Sequence, residues 1–141
     1  MYSLSMKRLI TKHTQIELVA LSESLNLNSE DLSQIFKVPA RTIRYWESGL
    51  NARGNKVPQR VINKAVAKLN EFQKLIAENV SSHPTDARNL KILFDDELYR
   101  SSSEWDAKLP LAALHRTQQL RIKLKLAEHG IDVKLVSEEQ E

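Results

Sequence analysis

The sequence LNSEDLSQIFKVPARTIRYWESG, residues 27–49, predicts two short helices joined by a tight turn. Asn28 or Ser29 can cap the first helix, because either side chain can accept a hydrogen bond from a backbone N–H of the first turn. Leu32, Ile35 and Phe36 then follow at spacings of three and four. This spacing gives the first helix one apolar face.

The second helix of this stretch has a buried stripe and a basic outer face. Pro39 suits the first turn of a helix, where its missing N–H would be unpaired anyway. Ile43 and Trp46 lie three residues apart on the inner side, and Gly49 can end the helix in the left-handed conformation. The other positions are polar, basic or small and are the candidates for contact with nucleic acid: Ala40, Arg41, Thr42, Arg44 and Tyr45.

Most of these residues have a specific candidate role on a DNA duplex. Arg41 and Arg44 can each make a bidentate contact with guanine O6 and N7, worth about 1–3 kcal/mol of discrimination. Arg44 can instead bond a phosphate, which carries no sequence information. Ala40 can touch a thymine methyl group, and Tyr45 can reach a thymine methyl group or a phosphate. Ser29, at the start of the first helix, can direct a backbone N–H at a phosphate.

The second helix resembles the recognition helix of Cro/repressor-like phage and bacterial regulators, in which an Ile-x-x-Trp-Glu-x-Gly ending recurs. The ending here is the run from Ile43 to Gly49. Two residues depart from that family, since Ser33 replaces the usual Ala and Lys37 replaces the turn glycine. We therefore expect Lys37 to adopt the left-handed conformation. The resemblance implies an N-terminal helix-turn-helix bundle that binds double-stranded DNA.

The run from Arg41 to Glu47 is also similar to the recognition helix of the MerR family. A MerR-type module starts its first helix near the chain terminus and follows the run with a Gly-Tyr-Arg wing. Here an extra helix precedes the run, and the following loop lacks that wing motif. We therefore favour the Cro/repressor-like interpretation.

Residues 51–57 have the composition of a loop, with two Asn, one Gly and two basic residues. In the Cro/repressor-like fold, the loop after the second helix runs beside the DNA backbone. The resemblance therefore makes Arg53 and Lys56 candidate phosphate contacts, with Asn51 and Asn55 as possible donors. A flexible, solvated loop is the alternative interpretation.

The charge is distributed unevenly along the 141 residues. Residues 1–80 hold 12 Lys and Arg against 7 Asp and Glu, whereas the remainder holds 9 against 11. A basic half followed by a mildly acidic half favours polyanion binding by the first. There is no cysteine, no apolar run that could span a bilayer and no signal peptide in the sequence. We expect a cytoplasmic protein without a membrane partner.

The periodicity elsewhere predicts an α+β, mainly α, protein. A helix is expected from Thr14 to about residue 26, and a long one from Pro58 to about residue 80. A turn-rich break follows over residues 81–89. The rest predicts a strand at 90–94, helices at 97–103 and 111–129, and a strand at 131–135. We therefore assign residues 1–80 to a DNA-binding domain and 81–141 to a small β-α-α-β domain, whose two-stranded sheet a second subunit would extend.

The whole chain resembles the anti-CRISPR-associated regulators of phages and mobile elements and the related YdiL-like proteins. The shared features are the run from Tyr45 to Gly49, Val57-Pro58, a Leu-containing strand and an Arg-rich helix that ends in glycine. This resemblance implies a homodimeric repressor of its own operon, with the C-terminal part as the dimer interface.

No residue pattern indicates catalysis, a metal site or a cofactor. Asp95, Asp96 and Glu97 are consecutive at a helix start, so their side chains point in different directions and suit a helix cap better than a metal. The four histidines share no ligand spacing. Two other functions remain open. One is an RNA-binding translational regulator that uses the same basic face, and the other is an antitoxin-like protein-interaction module.

Overall fold

The computed structural model describes residues 15–86 and 89–137. Its elements in chain order are α1 over residues 15–24, α2 (Ser29–Phe36), α3 (Ala40–Ser48), α4 (Gln59–Ser82), β1 (Asn89–Ile92), α5 (Asp96–Ser101), α6 (Ala112–Glu128) and β2 (Lys134–Ser137). The described chain is mainly helical with one small sheet, which confirms the predicted α+β, mainly α, class. The predicted helix start at Thr14 lies outside the described residues.

Packing divides the chain into two compact units, and the division falls between Glu71 and Phe72, inside α4. The domain boundary predicted from the sequence lies later, in the loop after residue 80. The long apolar face of α4 accounts for this difference, because one continuous helix contributes buried side chains to both units.

The first unit has a core to which each of its helices contributes. Leu18 from α1, Leu32 from α2, Ile43 from α3 and Ile62 from α4 are each 2% exposed or less. Burying a side chain of this size stabilises a fold by about 1.5–3 kcal/mol. The inward side of α3 is therefore fixed, which determines the side that it presents to solvent.

The second unit contains the two-stranded sheet, whose strands run parallel with Asn89 opposite Lys134 and Ile92 opposite Ser137. A parallel pair requires a long crossover connection, and α5 and α6 provide it. Leu90 and Val133 pack with Ile122 and Leu126 of α6 in one apolar cluster. The predicted pairing of the two end strands is therefore observed.

The distal part of α4 lies against α6 within this second unit. Asn79 Nδ2 donates to Gln118 Oε1 at 2.7 Å, and Lys125 Nζ donates to the Val80 carbonyl oxygen at 2.7 Å. Val80 also packs against the apolar cluster of the sheet. The distal part of α4 therefore packs on the C-terminal half of the same chain.

Several predicted element boundaries are wrong by a few residues. Pro58 precedes α4, which begins at Gln59, and Pro39 precedes α3 with an extended ψ of 145°. The Pro39 carbonyl oxygen nevertheless accepts the N–H of Thr42 at 2.9 Å, so Pro39 is the N-cap of α3. The sheet spans Asn89–Ile92 and Lys134–Ser137, because pairing between the strands sets their limits. Within the described ranges, no helix is long and apolar enough to cross a bilayer.

Candidate nucleic-acid interface

The start of α2 is held by a reciprocal pair of hydrogen bonds. The Asp31 N–H donates to Asn28 Oδ1 at 2.9 Å, and the Asn28 N–H donates to Asp31 Oδ2 at 3.0 Å. Asn28 is therefore the N-cap, and Ser29 is the first helical residue. The Asp31 carboxylate lies beside the backbone N–H groups that Ser29 was predicted to offer a phosphate. This negative charge makes Ser29 the least favourable of the candidate phosphate contacts.

Lys37 makes the turn between α2 and α3 without a glycine. Its φ of 57° and ψ of 43° lie in the left-handed region, as the sequence predicts. Its backbone N–H donates to the Ser33 carbonyl oxygen, and the Ser33 hydroxyl donates to the Val38 carbonyl oxygen. The serine that departs from the Cro/repressor pattern thus supplies a hydrogen bond that stabilises the turn.

An aromatic contact connects the two helices. The rings of Phe36 and Trp46 meet edge to face, with centroids 5.5 Å apart and planes at 64°. Ile43 is 1% exposed, so the predicted inner side of α3 is confirmed at that position. Trp46 lies on the inner side of α3 against Phe36, as predicted, but it is half-buried and part of its ring reaches solvent.

The exposed face of α3 carries Arg41, Arg44 and Ser48. These positions follow one another at spacings of three and four, so they lie on one side of the helix. The Arg41 side chain has no hydrogen bond, ion pair or ring contact to any residue that the structure describes. Its five N–H donors are therefore available to an external acceptor.

The other candidate residues of α3 flank this exposed face. Ala40, Thr42 and Tyr45 are each half-buried, so they can contribute at the edge of a contact without projecting as far as the arginines. The Tyr45 carbonyl oxygen accepts the N–H of Gly49 at 2.9 Å, where the helix ends. Gly49 has a φ of 83°, which confirms the predicted left-handed end.

The loop after α3 is a closed turn braced by Asn51. Its Oδ1 accepts the N–H groups of Arg53 at 2.9 Å and Asn55 at 3.0 Å. Leu50 and Lys56 form an isolated antiparallel bridge that closes the turn. The side chains of Arg53 and Lys56 are exposed, as a phosphate contact requires. The side-chain oxygen of Asn51 accepts hydrogen bonds within the loop, whereas its side-chain N–H groups can donate to an external acceptor.

The basic residues from position 37 to position 64 all reach solvent. The seven are Lys37, Arg41, Arg44, Arg53, Lys56, Arg60 and Lys64, and each is exposed. Three of them, in the turn before α3 and in the first two turns of α4, were not among the residues assigned to DNA contact. The run of basic residues in the sequence already contained this signal. Positive charge concentrated in one exposed segment favours binding of a polyanion.

Glu47 is the one acidic residue between positions 37 and 64, and it is half-buried, whereas the basic residues of that segment are exposed. Burial raises the pKa of Glu47, the nearby Arg44 lowers it, and Glu23 of α1 raises it. Glu47 and Glu23 both line a groove of about 430 Å³ between α1 and α3, together with Gln15, Ile16, Val19 and Ala20. Glu47 is therefore half-buried beside this groove, and it is not on the exposed face that carries Arg41 and Arg44. The groove itself has no signal in the sequence, because it depends on how α1 packs on α3.

Within the described ranges, no cluster of His, Cys, Asp or Glu is placed to hold a metal ion. Asp95 instead accepts the N–H groups of Glu97 at 2.8 Å and Leu98 at 3.0 Å, which confirms its predicted helix-cap role. No protein-family model matches the chain, and no curated protein matches it.

Proposed function

We propose that this protein is a sequence-specific DNA-binding transcriptional regulator, a homodimeric repressor that binds an inverted repeat near its own gene. The exposed face of α3 is the observation that supports this function most directly. Arg41 and Arg44 project from the side of the helix away from the buried Ile43. In this proposal α2, the turn and α3 act as a helix-turn-helix, and α3 is the recognition helix.

A helix that presents two arginines fits the major groove of B-DNA, where guanine offers O6 and N7 as paired acceptors. Arg41 lies in the first turn of α3, and in helix-turn-helix proteins the N-terminal residues of the recognition helix contact base edges. Arg41 therefore reads a base, and Arg44, one turn further along, reads a second base or holds a phosphate. Ala40, Thr42 and Tyr45 contribute at the edges of this contact.

The basic side chains around α3 contribute affinity that does not depend on the DNA sequence. Arg53 and Lys56 from the braced loop, and Lys37 from the turn, contact phosphates on either side of the groove. Each phosphate that is neutralised releases a counterion, so binding weakens as salt increases. Two recognition helices related by a dyad would address half-sites about 34 Å apart, or a multiple of that distance.

The test is binding of the purified full chain to the duplex upstream of its own gene, at two salt concentrations. A shuffled duplex and the matching transcript are the competitors. We expect tight binding to the upstream duplex alone. Arg41→Ala should weaken this binding by about 5- to 150-fold, as the loss of one bidentate base contact implies, while binding to the shuffled duplex changes much less.

Lys68→Ala is the matched control, because Lys68 is an exposed basic residue on α4 outside the proposed surface. It should leave specific binding nearly unchanged. Equal affinity for the upstream and shuffled duplexes, with a steep salt dependence, would mean that only backbone electrostatics act. Tighter binding to the transcript would replace the proposal with RNA recognition, for which an A-form groove admits a helix poorly and loops or single strands are the usual targets.

A further inference from the structure

Helix α6 presents apolar side chains on two opposite faces. One face is buried and includes Ile122 and Leu126, which are 2% and 0% exposed. On the other side, Leu120 is 48% exposed and Leu124 is 57% exposed. A helix that packs on one side only is expected to be polar on the other side. The exposed leucines therefore indicate a second partner for α6.

The two leucines belong to a row of four residues at i, i+4 spacing: Arg116, Leu120, Leu124 and Glu128. We call this row the α6 ridge. It spans about 18 Å along the helix, at 1.5 Å per residue. Its two ends carry opposite charges and its middle is apolar. Glu128 is exposed and has no ion pair to any described residue.

At the other end of the ridge, Arg116 is held in place by its own unit. Its Nη1 donates to the Leu93 carbonyl oxygen at 2.7 Å, and its guanidinium carbon lies 5.1 Å from the ring centroid of Phe94. These contacts leave further N–H donors on the guanidinium. Phe94 is itself 61% exposed, so the apolar surface continues beside the ridge.

We propose that the α6 ridge is the contact between two copies of this chain, with α6 of one copy antiparallel to α6 of the other. A two-fold axis midway between Leu120 and Leu124 brings Leu120 against Leu124 of the second copy. The same axis brings Arg116 against Glu128 of the second copy. Every position of the ridge thus meets a complementary residue, as a two-fold interface requires.

The opposite charges of Arg116 and Glu128 favour a second copy of α6 as the partner and favour an antiparallel arrangement of the two helices. In a parallel arrangement Arg116 would face Arg116, and Glu128 would face Glu128, so both ends would repel. Rows of i±4 residues that pack together cross at about −50°, which is the commonest class of helix packing. The role of this dimer rests on the proposed function, since an inverted repeat needs two subunits. The pairing itself rests on the exposed residues of α6.

The first experiment measures the molar mass of the full chain by sedimentation velocity over a range of concentrations. We expect a dimer, and Leu120→Glu should weaken dimerisation at least about tenfold, because it places a carboxylate in an apolar contact. Leu50→Glu is the matched control, since Leu50 is 47% exposed and lies in the other compact unit. It should leave the dimer intact.

The second experiment exchanges the charges of the ridge between two variants. Arg116→Glu and Glu128→Arg should each self-associate several-fold more weakly than the unmodified chain, because like charges then meet at both ends. Mixing the two variants should restore association as a heterodimer, in which every end again pairs opposite charges. A heterodimer also demonstrates that both variants fold.

Each contrary result has a definite meaning. Three results would each overturn the α6 ridge as the interface. They are a chain that is monomeric throughout, a dimer that survives Leu120→Glu, and a mixture of charge variants that fails to associate although circular dichroism shows both to be folded. The proposed function is tested separately by Arg41→Ala, which should weaken specific DNA binding and remain dimeric. A dimer sensitive to Leu120→Glu that binds no specific DNA would keep this inference and refute the proposed function.

Discussion

The rings of Phe36 and Trp46 meet edge to face at 5.5 Å and connect the last turn of α2 to the inner side of α3. An edge-to-face pair contributes about 0.5–1.5 kcal/mol beyond the area that it buries. The contact also limits how α3 can rotate relative to α2. It therefore affects both the stability of the first unit and the direction in which Arg41 projects.

Trp46→Leu should lower the free energy of unfolding by about 1–2 kcal/mol, because the ring pair is lost at a half-buried site. Trp46→Phe keeps an aromatic partner for Phe36 and should cost less. Urea unfolding followed by circular dichroism measures both changes. Equal losses for the two variants would show that buried volume matters here and that the ring geometry does not.

Gly49→Ala should destabilise the protein for two separable reasons. A φ of 83° is unfavourable for alanine, and an added Cβ would lie 1.8 Å from Gln15 Nε2, so the Gln15 side chain must move. Gly54→Ala is the control, because Gly54 has a φ of 79° and no atom within 4 Å of the added Cβ. We expect about 1 kcal/mol for Gly54→Ala and more for Gly49→Ala, measured as free energies of unfolding.

The double variant Gln15→Ala/Gly49→Ala separates the cost of the positive φ from the cost of the steric contact with Gln15. Removal of the Gln15 side chain should relieve the crowding and bring the cost of Gly49→Ala close to that of Gly54→Ala. A Gly49→Ala cost that is unchanged in the Gln15→Ala background would show that the backbone conformation accounts for all of it.

Asp96→Ala should weaken the start of α6. Asp96 Oδ1 accepts the N–H of Ala112 at 2.8 Å, whereas Leu111, the N-cap residue, makes no side-chain cap bond. The substitution leaves that N–H without its partner and should cost about 1–2 kcal/mol. Asp96→Asn retains an oxygen acceptor and should lose less. Unfolding monitored by the fluorescence of Trp105 in a Trp46→Phe background reports on the second unit.

Local chemistry made much of the first unit predictable from sequence. The left-handed Lys37 and the glycine end of α3 follow from neighbouring residues, and the structure confirms both. The sequence offered Asn28 or Ser29 as the cap of α2, and the structure shows that it is Asn28. The exposure of Arg41 and Arg44 follows in the same way from the helical period. These are contacts within a few residues, so no knowledge of the rest of the chain is needed.

Features that depend on distant residues were not predictable. The cap that Asp96 provides to Ala112 joins residues 16 apart. The limits of β1 and β2 depend on pairing across the whole C-terminal part, which is why Phe94 was wrongly assigned to a strand and is instead exposed. The half-burial of Trp46 and the groove beside Glu47 likewise depend on how helices pack, which the periodicity of one helix does not specify.

Glu47→Gln should leave stability equal or slightly higher at neutral pH, with a change of less than about 1 kcal/mol. Burial raises the folded-state pKa of Glu47, so the folded state binds this proton more tightly than the unfolded state does. The ionised carboxylate is therefore unfavourable at neutral pH, and its cost disappears as pH falls through the raised pKa. Unfolding of both proteins at neutral and acidic pH measures the difference. A clear loss at neutral pH would mean that the attraction to Arg44 outweighs burial.

Glu104→Gln should show the opposite dependence on pH. Glu104 Oε2 lies 3.3 Å from Nε2 of the buried His115, and this hydrogen bond is the main cause that lowers the pKa of Glu104. A lowered folded-state pKa contributes stability above the unfolded-state value, and that stability is lost as pH falls through the folded-state pKa. Glu104→Gln should therefore cost about 1 kcal/mol at neutral pH and almost nothing once the pH is below the folded-state pKa of Glu104. Urea unfolding of both proteins across this range gives the difference, with Glu97→Gln as an exposed control. A cost that stays constant with pH would show that Glu104 contributes through packing and that its charge does not contribute.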